Sequence, residues 1–219
     1  MNKWQKYISK ERIPLICVVF YSVGLLLFVF PLTREVFIDI TPFTLLLVIG
    51  VVFYFHKEWN LKTIMLFGSI VLSSYLLEMV GVRSGMPFGT YQYADGLGIK
   101  LLDTPLIIGL NWLFLVYASQ SIACSMSQNA LIKIVLGAGL MVLYDVVLEW
   151  VAPTMQMWHF TGGYPPLSNF TTWFLAAAIF QSGFVLLHIK VENRPARLVF
   201  CIQPAFFALI GLHQFIFKA

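Results

Sequence analysis

Asp145 and Glu149 stand four residues apart in "LYDVVLEW" (143–150), at the end of a run rich in Leu, Val, Met and Gly. That spacing puts both carboxyls on one face of a helix. A third acid, Glu78, closes the equally apolar stretch "SSYLLEMVG". Carboxylates in such company are expensive: about 2.5–3.5 kcal/mol each at the centre of a membrane helix, less toward the interface. Something must retain them. Pairing with Arg83 or Lys100, to fix neighbouring loops, is the structural alternative. The chemical one is acid–base work, because two adjacent carboxyls in a water-poor site resist ionising together. One then keeps a proton to donate while the other accepts.

The remaining inventory narrows the chemistry. Four histidines (His56, His159, His188, His213) are dispersed along the chain with no metal-ligand spacing. No G-x-G-x-x-G or P-loop is present, and the Gly-rich stretch at 81–98 lies between hydrophobic runs. No lysine falls inside the last run, where a retinal Schiff base would need one. Cys17, Cys124 and Cys201 fit no disulfide framework and read as small apolar filler. The residues therefore point to chemistry without metal or cofactor. Aromatic faces near the acids suit it, because they stabilise a developing cation.

The elements that must position these groups are membrane helices. The chain of 219 residues is 59 % hydrophobic and only 11 % charged, with a mean hydropathy of +0.84, against about a quarter charged residues in a soluble domain. Seven apolar runs, near 13–30, 36–55, 61–81, 105–124, 131–151, 170–189 and 197–217, are each long enough to cross about 30 Å of hydrocarbon. The expectation is an all-α, polytopic membrane protein forming one domain over 1–219. The first run follows basic residues as a signal peptide does, but it is long and "FVFPLT" offers no small-residue cleavage site, so it reads as a retained anchor.

Orientation follows from the basic residues in short loops. With the N-terminus cytoplasmic and the C-terminus outside, Lys3, Lys6, Lys10, Arg12, Lys57, Lys62, Lys133, Lys190, Arg194 and Arg197 lie inside. Arg34, Arg83, Lys100 and Lys218 lie outside. The net charge of +4 thus reflects topology, not nucleic-acid binding. Two connections, 82–105 and 152–173, are long and rich in Gly, Pro and aromatics, and both fall on the outer side. They read as functional lids above the three acids.

The residues that carry these features resemble a known family. "EMVGVRSGMPFGTYQYADGLG" (78–98) is similar to the first signature block of the membrane carotenoid hydratases, the CruF-like carotenoid biosynthesis proteins. "LYDVVLEWVAPTMQMWHF" (143–160), with "PLSNFTTWF" (166–174), is similar to the second. The likeness runs from about Tyr75 to Trp173. Trp150 stands where the family has a Pro after the second acid, and Gly109 where a Pro is common; both departures bear on helix-end geometry more than on chemistry.

The resemblance implies addition of water across the terminal double bond of an acyclic carotenoid end, giving a tertiary alcohol. It implies a substrate such as lycopene or γ-carotene entering from the membrane lipid, and association with other carotenoid enzymes. On this reading Asp145 donates the proton, Glu149 orients and deprotonates water, and Glu78 is the third carboxylate. Tyr91, Tyr93, Trp158, His159 and Tyr164 are candidates for holding the end group, and Asn169 for holding water or a loop. An integral-membrane lycopene cyclase shares the protonation step and differs in product. A small transporter or non-catalytic assembly factor is the remaining class, although no internal repeat or paired interrupted helices support transport.

Overall fold

The computed structural model describes residues 12–217. Within them seven helices are long and apolar enough to cross a membrane. These are α1 (Arg12–Val29), α2 (Pro31–Tyr54), α3 (Leu61–Ser84), α4 (Ile107–Met126), α5 (Ala130–Val151), α6 (Leu167–Leu186) and α7 (Arg194–Phe217). The protein is an all-α, multi-pass membrane protein. Lys3, Lys6, Lys10 and Lys218, which enter the charge argument, lie outside the described residues.

Local chemistry explains where the helices begin and end. Asn60 caps α3 by accepting from the Thr63 amide at 3.0 Å, and Asn129 caps α5 by accepting from Ile132 at 3.1 Å. Helix α2 starts at Pro31, not near 36. Proline is pre-organised for the first helical turn. Arg34 can lie inside that helix because its Nε donates to the Phe28 carbonyl and its guanidinium sits 5.1 Å from the Phe28 ring. Helix α3 continues to Ser84 and stops at Gly85, whose φ of 69° is left-handed. Helix α5 runs through Trp150, the position where a proline was the family expectation.

Helix α4 is the centre of the bundle: 78 % of its most apolar window is buried, against 6 % for α1. Its approach to α3 requires Gly109, since a Cβ there would stand 2.5 Å from the Val71 carbonyl oxygen. Gly109→Ala must therefore push the two helices apart. We expect it to cost about 1–3 kcal/mol, the scale of an overpacked core. Thermal unfolding of the purified protein, compared with a Gly139→Ala control that meets nothing within 4 Å, measures this.

The two long connections are built structure and not plain loops. Strand β1 (Tyr91–Tyr93) of the first pairs antiparallel with β4 (Trp158–Phe160) of the second, in the register Tyr91–Phe160, Gln92–His159 and Tyr93–Trp158. The lock is extended by Gly96, whose amide donates to the Gln156 carbonyl at 2.7 Å. Between these strands a 3-10 turn (Asp95–Leu97) leads to a small hairpin of β2 (Lys100–Leu101) and β3 (Thr104–Pro105). The hairpin is closed by Leu102 and Asp103, both at positive φ, the backbone such two-residue turns need. Strand periodicity then sorts side chains: Tyr91, Trp158 and Phe160 are buried and Tyr93 is half-buried beneath the ribbon, while Gln92 and His159 are exposed above it.

Candidate active site

Glu78, near the end of α3, is held by three donors. Its Oε2 accepts from the Tyr91 hydroxyl at 2.5 Å and the Tyr93 hydroxyl at 2.9 Å, and its Oε1 accepts from Trp112 Nε1 at 2.9 Å. Two donors come from the ribbon and one from α4, so this carboxyl joins the lid to the helices. Trp112 is in turn stacked on Trp173 of α6, with ring centroids 4.1 Å apart. Burial, and then the neighbouring Glu78 charge, push the phenols of Tyr91 and Tyr93 well above their ordinary range. Both stay protonated donors at any physiological pH.

Glu149, at the end of α5, has one hydrogen-bond partner among the described residues: Trp158 Nε1 donates to its Oε2 at 3.0 Å. Asp145 lies one turn deeper and is wholly buried. Its Oδ2 accepts from Asn169 Nδ2 at 2.9 Å, while Oδ1 has no partner among the described residues. Neither Arg83 nor Lys100 reaches any of the three acids. Arg83 is exposed, and Lys100 pairs with Asp95 and donates to the Tyr93 carbonyl, both at 2.9 Å. The ion-pair alternative is therefore not what holds the acids; aromatic and amide donors do.

A cleft of about 390 Å³, counting its open mouth, lies under the ribbon. Glu78 and Glu149 line it, as do Tyr91, Tyr93, Trp158 and Asn169 from the sequence expectation. Asp145 does not, but it is hydrogen-bonded to Asn169, which does. His159 and Tyr164 also stand apart. His159 points out of the ribbon because its strand neighbours point in, and Tyr164 is 61 % exposed. Among the described residues no group of three His, Cys, Asp or Glu is placed to hold a metal ion.

Several lining residues escaped the sequence reading: Trp112, Trp173, Phe88, Phe160 and Asn111. Trp112, Trp173 and Phe88 are each ordinary for an interfacial aromatic belt. The usable signal was that they cluster at the same outer ends of helices as the acids. Asn111, an amide on α4 among apolar neighbours, was the more telling residue.

The arrangement offers two carboxyls facing one water-poor cleft, with aromatic faces between them. It can deliver a proton, shelter a cation and capture it. Comparisons with known proteins bear on what is protonated. Among curated proteins, the bisanhydrobacterioruberin hydratase of Haloarcula japonica is 28 % identical over 130 residues, covering 53 % of this chain and 44 % of that protein. The matched stretch is thus less than half the length of that relative. No solved structure matches the chain. The family model described as carotenoid biosynthesis protein matches residues 40–218, which include Glu78, Asp145, Glu149 and both halves of the ribbon. The chain belongs to the carotenoid biosynthesis protein family.

Proposed function

We propose that the protein is a carotenoid hydratase that adds water across the terminal double bond of an acyclic end group. The observation that carries this reading is that Glu78 and Glu149 line one aromatic cleft, each from a helix long and apolar enough to cross a membrane. The name of the Haloarcula japonica relative supports it.

Glu149 is the acid that meets the alkene, because it lines the cleft and has a single hydrogen-bond partner among the described residues. Its proton adds to the CH carbon of the terminal double bond, and the positive charge forms on the dimethyl-substituted carbon. Glu78, whose three hydrogen-bond donors favour its carboxylate form, lines the same cleft as Tyr91, Tyr93 and Trp112, so a carboxyl and aromatic rings are at hand to stabilise that cation. Water adds its oxygen to the cation, and the proton it sheds returns to Glu149. The sum is substrate plus water, so no reductant, oxidant or cofactor enters. Asp145 is a positioning residue: it accepts from Asn169 Nδ2 and so fixes the amide of a residue that lines the cleft, whose oxygen can accept from water. Product analysis tests the reading. A gain of one water means a hydratase, whereas an isomer of the substrate means a cyclase.

The same reading puts the ribbon on the outer face of the membrane. Arg12, Lys57, Lys62, Lys133, Lys190, Arg194 and Arg197 gather at the end of the bundle opposite the ribbon, and basic residues stay on the cytoplasmic side. A reporter inserted in the 191–197 loop is expected to be cytoplasmic, and one fused after Lys218 extracytoplasmic. A reporter after Lys218 that is reached only from the cytoplasm would reverse the assignment.

A further inference from the structure

The cleft does not end at the acids. A second, apolar compartment of about 330 Å³, counting its open mouth, adjoins it and shares Ile108, Asn111, Leu148 and Trp158 as common wall. The first compartment lies toward α3 and α6, through Glu78, Asn169 and Trp173. The second lies toward α2 and α7, through Leu45 and Phe207, with Leu97 and Met157 from the two long connections above it. Both run under the same loops, so a guest would cross from one to the other between α4 and α5. Their chemistry differs sharply. The first holds both carboxyls. In the second the polar groups are Asn111, at the junction, the Trp158 indole N–H, already given to Glu149, and the Tyr144 hydroxyl, already given to Gln203 at 2.8 Å. Each compartment is far smaller than a whole carotenoid, so only one end of such a chain is enclosed.

Resting on the hydratase reading, we propose that this second compartment is the binding site for the hydrocarbon arm of the substrate. It holds the isoprenoid segment directly behind the reacting double bond and sets how deeply the end group enters. The lining accepts hydrocarbon and offers no partner for a charged or phosphorylated ligand. Asn111 marks the boundary: an amide without a protein partner among the described residues, half-buried where acid-lined and apolar spaces meet. A ligand already hydroxylated along that arm would have to place its hydroxyl at Asn111 or leave it unpaired, so the compartment selects for an unsubstituted arm.

Leu45→Trp tests this, because Leu45 is half-buried, lines only the second compartment and touches none of the acids. Purified wild type and variant are titrated with lycopene, followed by quenching of protein fluorescence, and turnover is measured separately. L45W is expected to weaken lycopene binding about tenfold or more, the scale of one overpacked ring, while L45A stays within about threefold of wild type. Unchanged lycopene affinity in folded L45W would overturn the arm site.

Should L45W not fold, an acyclic isoprenoid bearing a diazirine two isoprene units from its terminal double bond is photolysed on the wild type instead. Crosslinks at Leu45, Leu97 or Phe207 are expected, and crosslinks confined to lipid-facing residues such as Leu143 contradict the proposal. The two readings fail separately. Binding that is sensitive to L45W without any water adduct keeps the arm site and sinks the hydratase. Hydration with full L45W affinity does the reverse.

Discussion

Glu149→Gln is expected to abolish product formation by about 10²-fold or more, the usual scale for a lost general acid, while the protein accumulates in the membrane at near-normal levels. The asymmetry follows from its contacts. Trp158 donates to Glu149 Oε2, and the amide oxygen of Gln can accept the same bond. What disappears is the exchangeable proton. The quantity to measure is product per folded protein, since product per cell would mix catalysis with yield. Asp145→Asn is the necessary companion, because Asp145 does not line the cleft and is hydrogen-bonded to Asn169, which does. It is expected to keep about a tenth of the activity or more, a smaller loss than that of a general acid. A folded E149Q that still hydrates at a tenth of the wild-type rate, beside an inactive D145N, would exchange the two roles.

Glu78→Gln is expected to damage both activity and folding. Its carboxyl receives three donors, from Tyr91, Tyr93 and Trp112. A Gln side chain replaces one acceptor oxygen with an NH₂ group, which must face at least one donor. Trp112 can only donate, and the two phenols can turn only in part to accept. The unsatisfied group costs about 1–3 kcal/mol, and the ribbon's attachment to α3 weakens. The expected result is a lower unfolding temperature together with a loss of turnover of about 10²-fold or more, as for a removed electrostatic stabiliser. Unfolding of E78Q at the wild-type temperature would mean that this carboxyl does not anchor the ribbon.

Much of this was legible in the sequence. Apolar runs and sparse charge give seven membrane helices, and the Asp145–Glu149 spacing with Glu78 at matching depth gives the level of the cleft. The two long connections announce a covering element through their Gly, Pro and aromatic content. Their pairing into a ribbon was not legible, because Tyr91–Tyr93 and Trp158–Phe160 are three-residue strands, too short to show an alternating pattern. That missing period is also why His159 was grouped with Trp158: adjacent in sequence, they point to opposite faces. Trp112 was missed for a different reason. It meets Glu78 across 34 residues of chain, a contact that depends on α3 and α4 closing at Gly109. Asp145 stands one helical turn before Glu149 and is wholly buried, and it does not line the cleft that Glu149 lines.

The central claim is that water is added to a carbon–carbon double bond without redox chemistry. The most direct test is to incubate the purified protein with lycopene in H₂¹⁸O, under exclusion of oxygen and without added nicotinamide, and to weigh the product. The account predicts a pigment heavier by one water and carrying ¹⁸O in its new hydroxyl. An isomer of unchanged mass, or a hydroxyl labelled only when ¹⁸O₂ is supplied, would contradict it.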